Sequence, residues 1–158
     1  MTEYKFVKSS EKKDILKELN NQFGISELPY LFIESGKEKI RAFSGSLSKE
    51  EIIEIGRMAN VEGIGVYFLK KEETGLRLSF EALMILKEQI TKNILDINDK
   101  QLGLWIRGND LEMNVPQGAY AIRHNGDFFG CGKSNGSKIF NYVPKERRLK
   151  KQQSQITA

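Results

Sequence analysis

An Asn-Gly pair at 125–126 separates two runs of residues that favour β-strands, 118–124 and 127–133. Asn-Gly strongly favours a two-residue hairpin turn, because both turn positions need a positive φ. The pair therefore predicts an antiparallel hairpin. Around it, a short helix is predicted to be capped by Asp99 and to end at Gly108. Further short strands are predicted at 94–97, 110–113 and 138–143. Together these elements indicate a small β-rich domain at 92–149.

A two-residue turn also predicts the register of the hairpin. It pairs His124 with Asp127, Ile122 with Phe129 and Tyr120 with Cys131. One face of the hairpin is apolar and carries Tyr120, Ile122, Phe129 and Cys131. The other face has almost no side-chain atoms, since it carries Ala119, Ala121, Gly130 and Gly132. Glycines in a strand often mark the close approach of a ligand or a backbone, and packing against the adjacent helix explains them equally well. This register separates Cys131 from His124 by roughly 13 Å, which excludes a Cys-His nucleophile pair.

In the first part of the chain, strand-like and helix-like segments alternate. Strands are predicted at 4–7, 29–33, 39–43, 63–69 and 76–78, and helices at 11–23, 48–59 and 80–90. Gly24 is expected to end the first helix, and Ser48 with Glu51 forms a capping box for the second. The apolar face of the third helix is expected to lie in the core. Residues 1–91 are therefore predicted to form an α/β domain.

The stretch 126–134 is a near match to a phosphate-binding P-loop. The motif G-x-x-x-x-G-K-[ST] would end at Gly132-Lys133-Ser134 and needs its first glycine at position 127, where this chain has Asp127. A P-loop also leads into a helix, whereas a turn and a predicted strand follow here. We therefore expect the protein neither to bind nor to hydrolyse ATP.

Composition limits the remaining functions. The single cysteine cannot form an internal disulfide, and the single histidine leaves no cluster for a zinc site, so we expect no metal and no cofactor. No stretch approaches the roughly 18 consecutive apolar residues of a membrane helix, and the charged start lacks a signal peptide's apolar run. We expect a cytoplasmic protein without membrane contact.

The net charge of +4 is concentrated in the second part of the chain. Up to residue 94, 15 basic residues balance 15 acidic ones, whereas 10 basic residues face 6 acidic ones from residue 95 onward. The segment 138–151 holds six Lys and Arg residues and only Glu146 against them. Such a run is either a solvated tail or a contact to the phosphates of a nucleic acid.

The segments "LWIRGNDLEMNVPQGAYAIRHNGDFFGCGK" and "NYVPKERRL" resemble a PUA domain. PUA is the RNA-binding module named after pseudouridine synthases and archaeosine transglycosylases. The matching features are the helix ending at Arg107-Gly108, the strand and Pro116 after it, the Asn-Gly hairpin and the Gly130-x-Gly132 strand. The preceding part, with "LRLSFEALMIL", is similar to the α/β region before the PUA domain in archaeal stand-alone PUA proteins. More narrowly, the chain is similar to Nip-type ribosome biogenesis factors and to the tails of Nop/Sun-type RNA methyltransferases.

The resemblance implies an α+β fold, in which an N-terminal α/β pre-PUA domain (1–91) precedes a PUA β-pseudobarrel (92–149) and a flexible basic and polar tail (150–158). It implies that Arg107 and Gly108 line one edge of an RNA-binding surface. Basic residues expected to contact RNA are Arg123, Lys133, Lys138, Lys145, Arg147, Arg148 and Lys150. We expect the basic end to be exposed to solvent.

These observations predict a non-catalytic protein that recognises structured ribosomal or transfer RNA, as an accessory factor in ribosome biogenesis or RNA modification. A methyltransferase or synthase domain is not expected, because 158 residues leave no room for one beside a PUA domain. The alternative is a protein-interaction adaptor whose first domain docks a ribosome-assembly or RNA-modification enzyme.

Overall fold

The computed structural model describes residues 5–45, 47–58, 65–73 and 75–149. The strands are β1 (Lys5–Phe6), β2 (Leu31–Glu34), β3 (Lys39–Phe43), β4 (Val66–Glu72), β5 (Gly75–Leu78), β6 (Ile94–Asp96), β7 (Leu111–Glu112), β8 (Gly118–His124), β9 (Asp127–Ser134) and β10 (Lys138–Asn141). The helices are α1 (Ser9–Phe23), α2 (Lys49–Met58), α3 (Phe80–Leu86) and α4 (Asp99–Trp105), with 3-10 turns at Lys87–Gln89 and Lys145–Arg147. This mixture confirms the predicted α+β fold class.

The first sheet is an antiparallel meander in the order β1-β2-β3-β4-β5. Gly24 ends α1 in the left-handed conformation, and its N–H donates to Asn20 O at 2.9 Å, as the sequence predicts. The capping box of α2 is also confirmed, since Ser48 and Glu51 exchange two hydrogen bonds of 3.1 Å. Outside the described residues lie the predicted end of the second helix at residue 59, the predicted start of a strand at residue 63, and Thr74 between the predicted strands 63–69 and 76–78.

The second sheet is curled and has the order β6-β8-β9-β10-β7, in which only the β6–β8 pair among the described strands is parallel. Helix α4 follows β6 directly. Its cap is Asn98, whose side chain accepts from Gln101 N at 2.8 Å while Gln101 Oε1 accepts from Asn98 N. The prediction that Asp99 caps this helix is therefore wrong by one residue, because Gln101 at the third helical position completes a capping box with Asn98.

The hairpin β8–β9 forms around the turn at Asn125 and Gly126, both of which have positive φ as predicted. The observed pairs are His124–Asp127, Arg123–Phe128, Ala121–Cys131 and Tyr120–Gly132. The first two pairs fit the predicted register, whereas the predicted pair Tyr120–Cys131 is wrong and the predicted pair Ile122–Phe129 falls in an irregularity. Two residues of β9, Phe129 and Gly130, lie opposite Ile122 alone, which is a β-bulge. Gly130 has a φ of 108°, which other residues rarely adopt, so its identity permits the bulge.

The bulge changes which side chains share a face. Ala121, Phe128 and Cys131 are buried in one core cluster with residues of the first sheet and its helices, such as Leu83 and Leu86 of α3. The predicted core face of α3 is thus confirmed. Ile122 lies instead in a second cluster around Trp105, with Ile97, Leu111, Ile139 and Val143. The predicted grouping of Cys131 with Ile122 is wrong for this reason. The division of the chain near residue 92 stays a prediction.

The glycines of β9 make room for side chains of the second core cluster, Gly132 for Trp105 and Ile139, and Gly130 for Val143. A Cβ on Gly132 would lie 2.6 Å from Ile139 Cγ2 and 2.9 Å from Trp105 Cη2, and one on Gly130 would lie 3.0 Å from Val143 Cγ2. Trp105 is fully buried, and its indole Nε1 donates to Phe129 O at 2.7 Å. Of the two interpretations of these glycines, packing against the adjacent helix is therefore the one that the structure supports.

Replacing Gly132 by alanine is expected to lower the free energy of unfolding by about 1–3 kcal/mol, because the added methyl overpacks a rigid site. Phe140 O, a backbone atom, would lie 3.1 Å from that methyl and has little freedom to move. Urea denaturation measures the effect. The matched control is Gly103→Ala in α4, where the nearest atom is the end of Arg107 at 3.7 Å, and this variant is expected to gain up to about 1 kcal/mol of helix propensity. Equal stability of the two variants would contradict the packing argument.

Candidate nucleic-acid interface

The end of α4 and the C-terminal segment lie side by side. Leu149 N donates to Ile106 O at 2.8 Å, and the side chain of Arg148 crosses Gly108. A Cβ on Gly108 would lie 2.6 Å from Arg148 Cδ, so this glycine allows the two segments to approach. Arg107 and Lys145 are exposed, whereas Arg148 is half-buried. We call these three residues, Arg107, Lys145 and Arg148, the basic edge.

Asn141 holds the basic edge together and was not singled out from the sequence. Its Nδ2 donates to Trp105 O at 2.8 Å and to Asn109 O at 3.0 Å, and its Oδ1 accepts from Val143 N at 2.8 Å. One amide side chain therefore links the end of α4 to the segment after β10. A single Asn at the end of a strand carries no recognisable pattern, because its partners Trp105 and Asn109 are more than 30 residues away in the sequence.

Two arginines of the predicted basic end make contacts within the protein. Arg147 pairs with Glu81 of α3, and its guanidinium lies 5.0 Å from the ring centre of Phe80. Arg148 Nε donates to Val143 O at 2.8 Å. The expectation of an exposed basic end therefore holds for Lys145 and Arg147 but not for Arg148. Lys150 lies outside the described residues.

Arg123 lies apart from the basic edge and is bound to a carboxylate. Its Nε and Nη2 donate to the two oxygens of Asp96 at 2.7 and 2.9 Å. This hydrogen bonding lowers the pKa of Asp96 and raises the pKa of Arg123. Beside it, His124 Nε2 lies 2.7 Å from Asp99 Oδ1. The charge of Arg123 is thus balanced locally.

Lys133 joins the two sheets. It pairs with Glu72 of β4, which also lies 3.2 Å from Arg77 Nε. Burial acts to raise the pKa of Glu72, but hydrogen bonds and charge from Lys133 and Arg77 outweigh burial and lower it. The remaining predicted residue, Lys138, is half-buried on β10 opposite Glu112 of β7. The structure therefore brings Arg107, Gly108, Lys145 and Arg148 together and leaves Arg123, Lys133 and Lys138 elsewhere.

Residues 92–149 match the family model described as the methyltransferase RsmF PUA domain. This part of the chain is a PUA domain. A PUA domain indicates RNA binding, and its matched range contains the basic edge and all of the described residues that were predicted to contact RNA. A search of curated proteins finds no match to the chain. The narrower resemblance to archaeal and Nip-type proteins stays a prediction.

The PUA domain carries its P-loop-like stretch within a strand. Gly132, Lys133 and Ser134 belong to β9, and a turn and β10 follow them, as predicted. Ser134 is buried, and its hydroxyl donates to Val115 O at 2.8 Å. The side chains of Lys133 and Ser134 are thus engaged within the protein.

Cys131 of the PUA domain is buried, and burial raises its pKa to about 12. A thiol with this pKa is protonated at neutral pH and is a poor nucleophile. Within the described ranges, no three His, Cys, Asp or Glu residues are grouped so that they could hold a metal ion. None of the helices in those ranges has the length and apolar character needed to cross a bilayer.

Sequence reasoning missed two exposed aromatic residues of the PUA domain. Phe140 is 39% exposed and Tyr142 is 36% exposed. The guanidinium of Arg77, from β5, lies 4.4 Å from the ring centre of Tyr142. Alternation along β10 was the available signal, because Ile139 is buried and its neighbour on a strand points to the opposite side.

Proposed function

We propose that this chain is a non-catalytic RNA-binding protein that recognises structured ribosomal or transfer RNA in the cytoplasm, as an accessory factor in ribosome biogenesis or RNA modification. The observation that carries the proposal is the basic edge of the PUA domain. Arg107 and Lys145 are exposed, and within the described ranges neither forms an ion pair with a carboxylate. Their charges are therefore available to phosphates.

The mode of recognition follows from the kind of residues at this edge. Lysine and arginine side chains contact phosphates and ribose hydroxyls, which position RNA without reading its sequence. Double-stranded RNA is recognised mostly by shape and by such backbone contacts. The basic edge therefore favours recognition of a folded RNA through its backbone.

A link with RNA modification is favoured by the comparisons. The matched family model describes the PUA domain of a methyltransferase, and the sequence resembles the tails of Nop/Sun-type RNA methyltransferases. Because the Cys131 thiol is buried and its pKa is raised to about 12, it is not suited to catalysis. An accessory role beside a modification enzyme is consistent both with the match to the PUA domain of a methyltransferase and with the unreactive Cys131 thiol.

Crosslinking in the native cell, followed by sequencing of the bound RNA, tests this proposal. We expect enrichment of particular ribosomal or transfer RNA segments. Affinity of the purified protein for such a segment should fall steeply with salt, because each neutralised phosphate releases counterions. Recovered RNA that merely mirrors total cellular RNA would contradict specific recognition. A protein complex that survives nuclease treatment and high salt would instead support the adaptor alternative.

A further inference from the structure

A groove runs along the junction between the first sheet and the PUA domain. It consists of two adjoining cavities of about 200 and 330 Å³ that share the residues Gln22, Gln117, Gly118 and Ala119. Gln22 belongs to α1, and the other three belong to the PUA domain. A Cβ on Gly118 would meet no atom within 4 Å, so the groove is open at that point. We call this feature the junction groove.

One end of the junction groove is aromatic. Phe140 and Tyr142 line it, and both rings remain more than one third exposed. Arg77 stacks against Tyr142, whereas no cation or ring in the described residues is stacked on Phe140. A planar apolar group placed on Phe140 would remove its ring from water. Nucleobases stack on such rings irrespective of their identity, since every base has a π-face.

The neighbouring part of the groove is rich in side-chain amides. Gln22 Nε2 donates to Leu76 O at 3.1 Å, which orients this amide. Within the described ranges Gln22 Oε1 has no hydrogen-bond partner, and Gln117 is exposed in the segment before β8. An amide can both donate and accept hydrogen bonds, as the polar edge of a base requires.

The charged groups beside the groove differ between its two cavities. Lys133 lines the smaller cavity, with Arg77 and Glu72 adjoining it through Tyr142 and Lys133, whereas Glu18 lines the larger one. Because the pKa of Glu72 is lowered, its carboxylate is ionised at neutral pH, and Lys133 and Arg77 together exceed it by one positive charge beside the smaller cavity. The phosphate of a nucleotide that stacks on Phe140 is therefore favoured in the smaller cavity, which Glu18 does not line.

We propose that the junction groove binds one unpaired nucleobase, which stacks on Phe140 and forms hydrogen bonds with Gln22 and Gln117. This inference rests on the proposed RNA-binding function and names the part of the RNA that the groove takes. The basic edge contacts the backbone of the folded RNA, and the groove takes a nucleotide from an adjoining single-stranded segment. Both parts of the protein, α1 and the PUA domain, contribute to this one site.

The test compares two RNA probes, a blunt hairpin and the same hairpin with a randomised single-stranded overhang containing 2-aminopurine. We expect the wild-type protein to bind the overhang probe about 5- to 20-fold more tightly and to quench its fluorescence, because one stacked base is gained. Phe140→Ala should remove the difference between the probes, and Phe140→Tyr should retain it. The control is Ile85→Ala, which truncates a 48% exposed residue of a separate cavity and should change neither readout.

A second variant keeps the inference testable if Phe140→Ala fails to fold. Gln117→Ala lies in an exposed segment and should weaken overhang binding about 2- to 10-fold, as expected for one lost hydrogen bond. Unchanged overhang preference and quenching in Phe140→Ala or in Gln117→Ala would overturn the groove assignment. Equal, salt-dependent binding of both probes by the wild type would overturn the inference alone. Binding of neither probe would overturn the proposed function as well.

Discussion

Replacing Trp105 by alanine is expected to lower the free energy of unfolding by about 3–5 kcal/mol, as for other large buried side chains. Trp105 is fully buried and lies at the centre of the second core cluster. Gly132 of β9 lies directly against its ring, so the neighbouring strand has no side chain at that position with which to fill the cavity. Since small proteins are stable by about 5–15 kcal/mol, the variant should be close to unfolding.

Urea denaturation of Trp105→Ala, Trp105→Phe and Leu104→Ala measures this effect and separates its causes. Trp105→Phe keeps an aromatic ring but removes the donor to Phe129 O, so we expect an intermediate loss of about 1–3 kcal/mol. Leu104, the preceding residue of α4, is 41% exposed and serves as the control for helix truncation. If Trp105→Ala were no less stable than Leu104→Ala, the second cluster would not depend on the indole.

Reversing the charge of Arg107 and Lys145, both to glutamate, is expected to weaken RNA binding on the order of 100-fold at low salt, because two phosphate contacts become repulsive. The log-log dependence of affinity on salt should become shallower by about 1.4–1.8 units, which corresponds to two lost contacts. Folding should change little, since both side chains are exposed. Arg147 and Arg148 are left intact because they contact Glu81 and Val143 within the protein.

The matched control reverses Lys13 and Lys17 to glutamate on the exposed side of α1. It changes the net charge by the same amount and leaves the PUA domain untouched. Affinity at several salt concentrations is measured for the wild type and both variants, with thermal unfolding to check folding. If the control weakened binding as much as the PUA variant, net charge alone would explain the effect and the basic edge would not be the contact surface.

Local features of this fold could be predicted from the sequence because they depend on backbone sterics and nearby hydrogen bonds. Gly24 ends α1 because glycine tolerates a φ of 82°, and Asn125-Gly126 turns the hairpin for a similar reason. The capping box at Ser48 and Glu51 needs only residues three apart. The resemblance of residues 92–149 to a PUA domain also followed from the sequence and is confirmed by the family model.

The candidate site was predicted only in part, because sequence shows charges but not their partners. Arg107, Gly108, Lys145 and Arg148 lie near one another because the segments that carry them lie side by side, and their contact with RNA stays a prediction. Lys133 and Arg123 were predicted to contact RNA, but their charges are balanced by Glu72 and Asp96. Glu72 lies 61 residues from Lys133, and no local pattern indicates such a pair.

Tertiary packing decided the features that depend on register and burial. A two-residue turn predicts simple alternation, but the bulge at Phe129 and Gly130, where Phe129 O accepts from Trp105 Nε1, shifts the register by one residue. That shift buries Cys131 against the first sheet, because successive strand residues point to opposite faces. The same packing leaves Phe140 exposed beside Gln22 of α1. The hairpin turn, the caps of α1 and α2 and the PUA domain could thus be predicted from the sequence alone, while contacts between distant segments determined which side chains are buried and which form the groove.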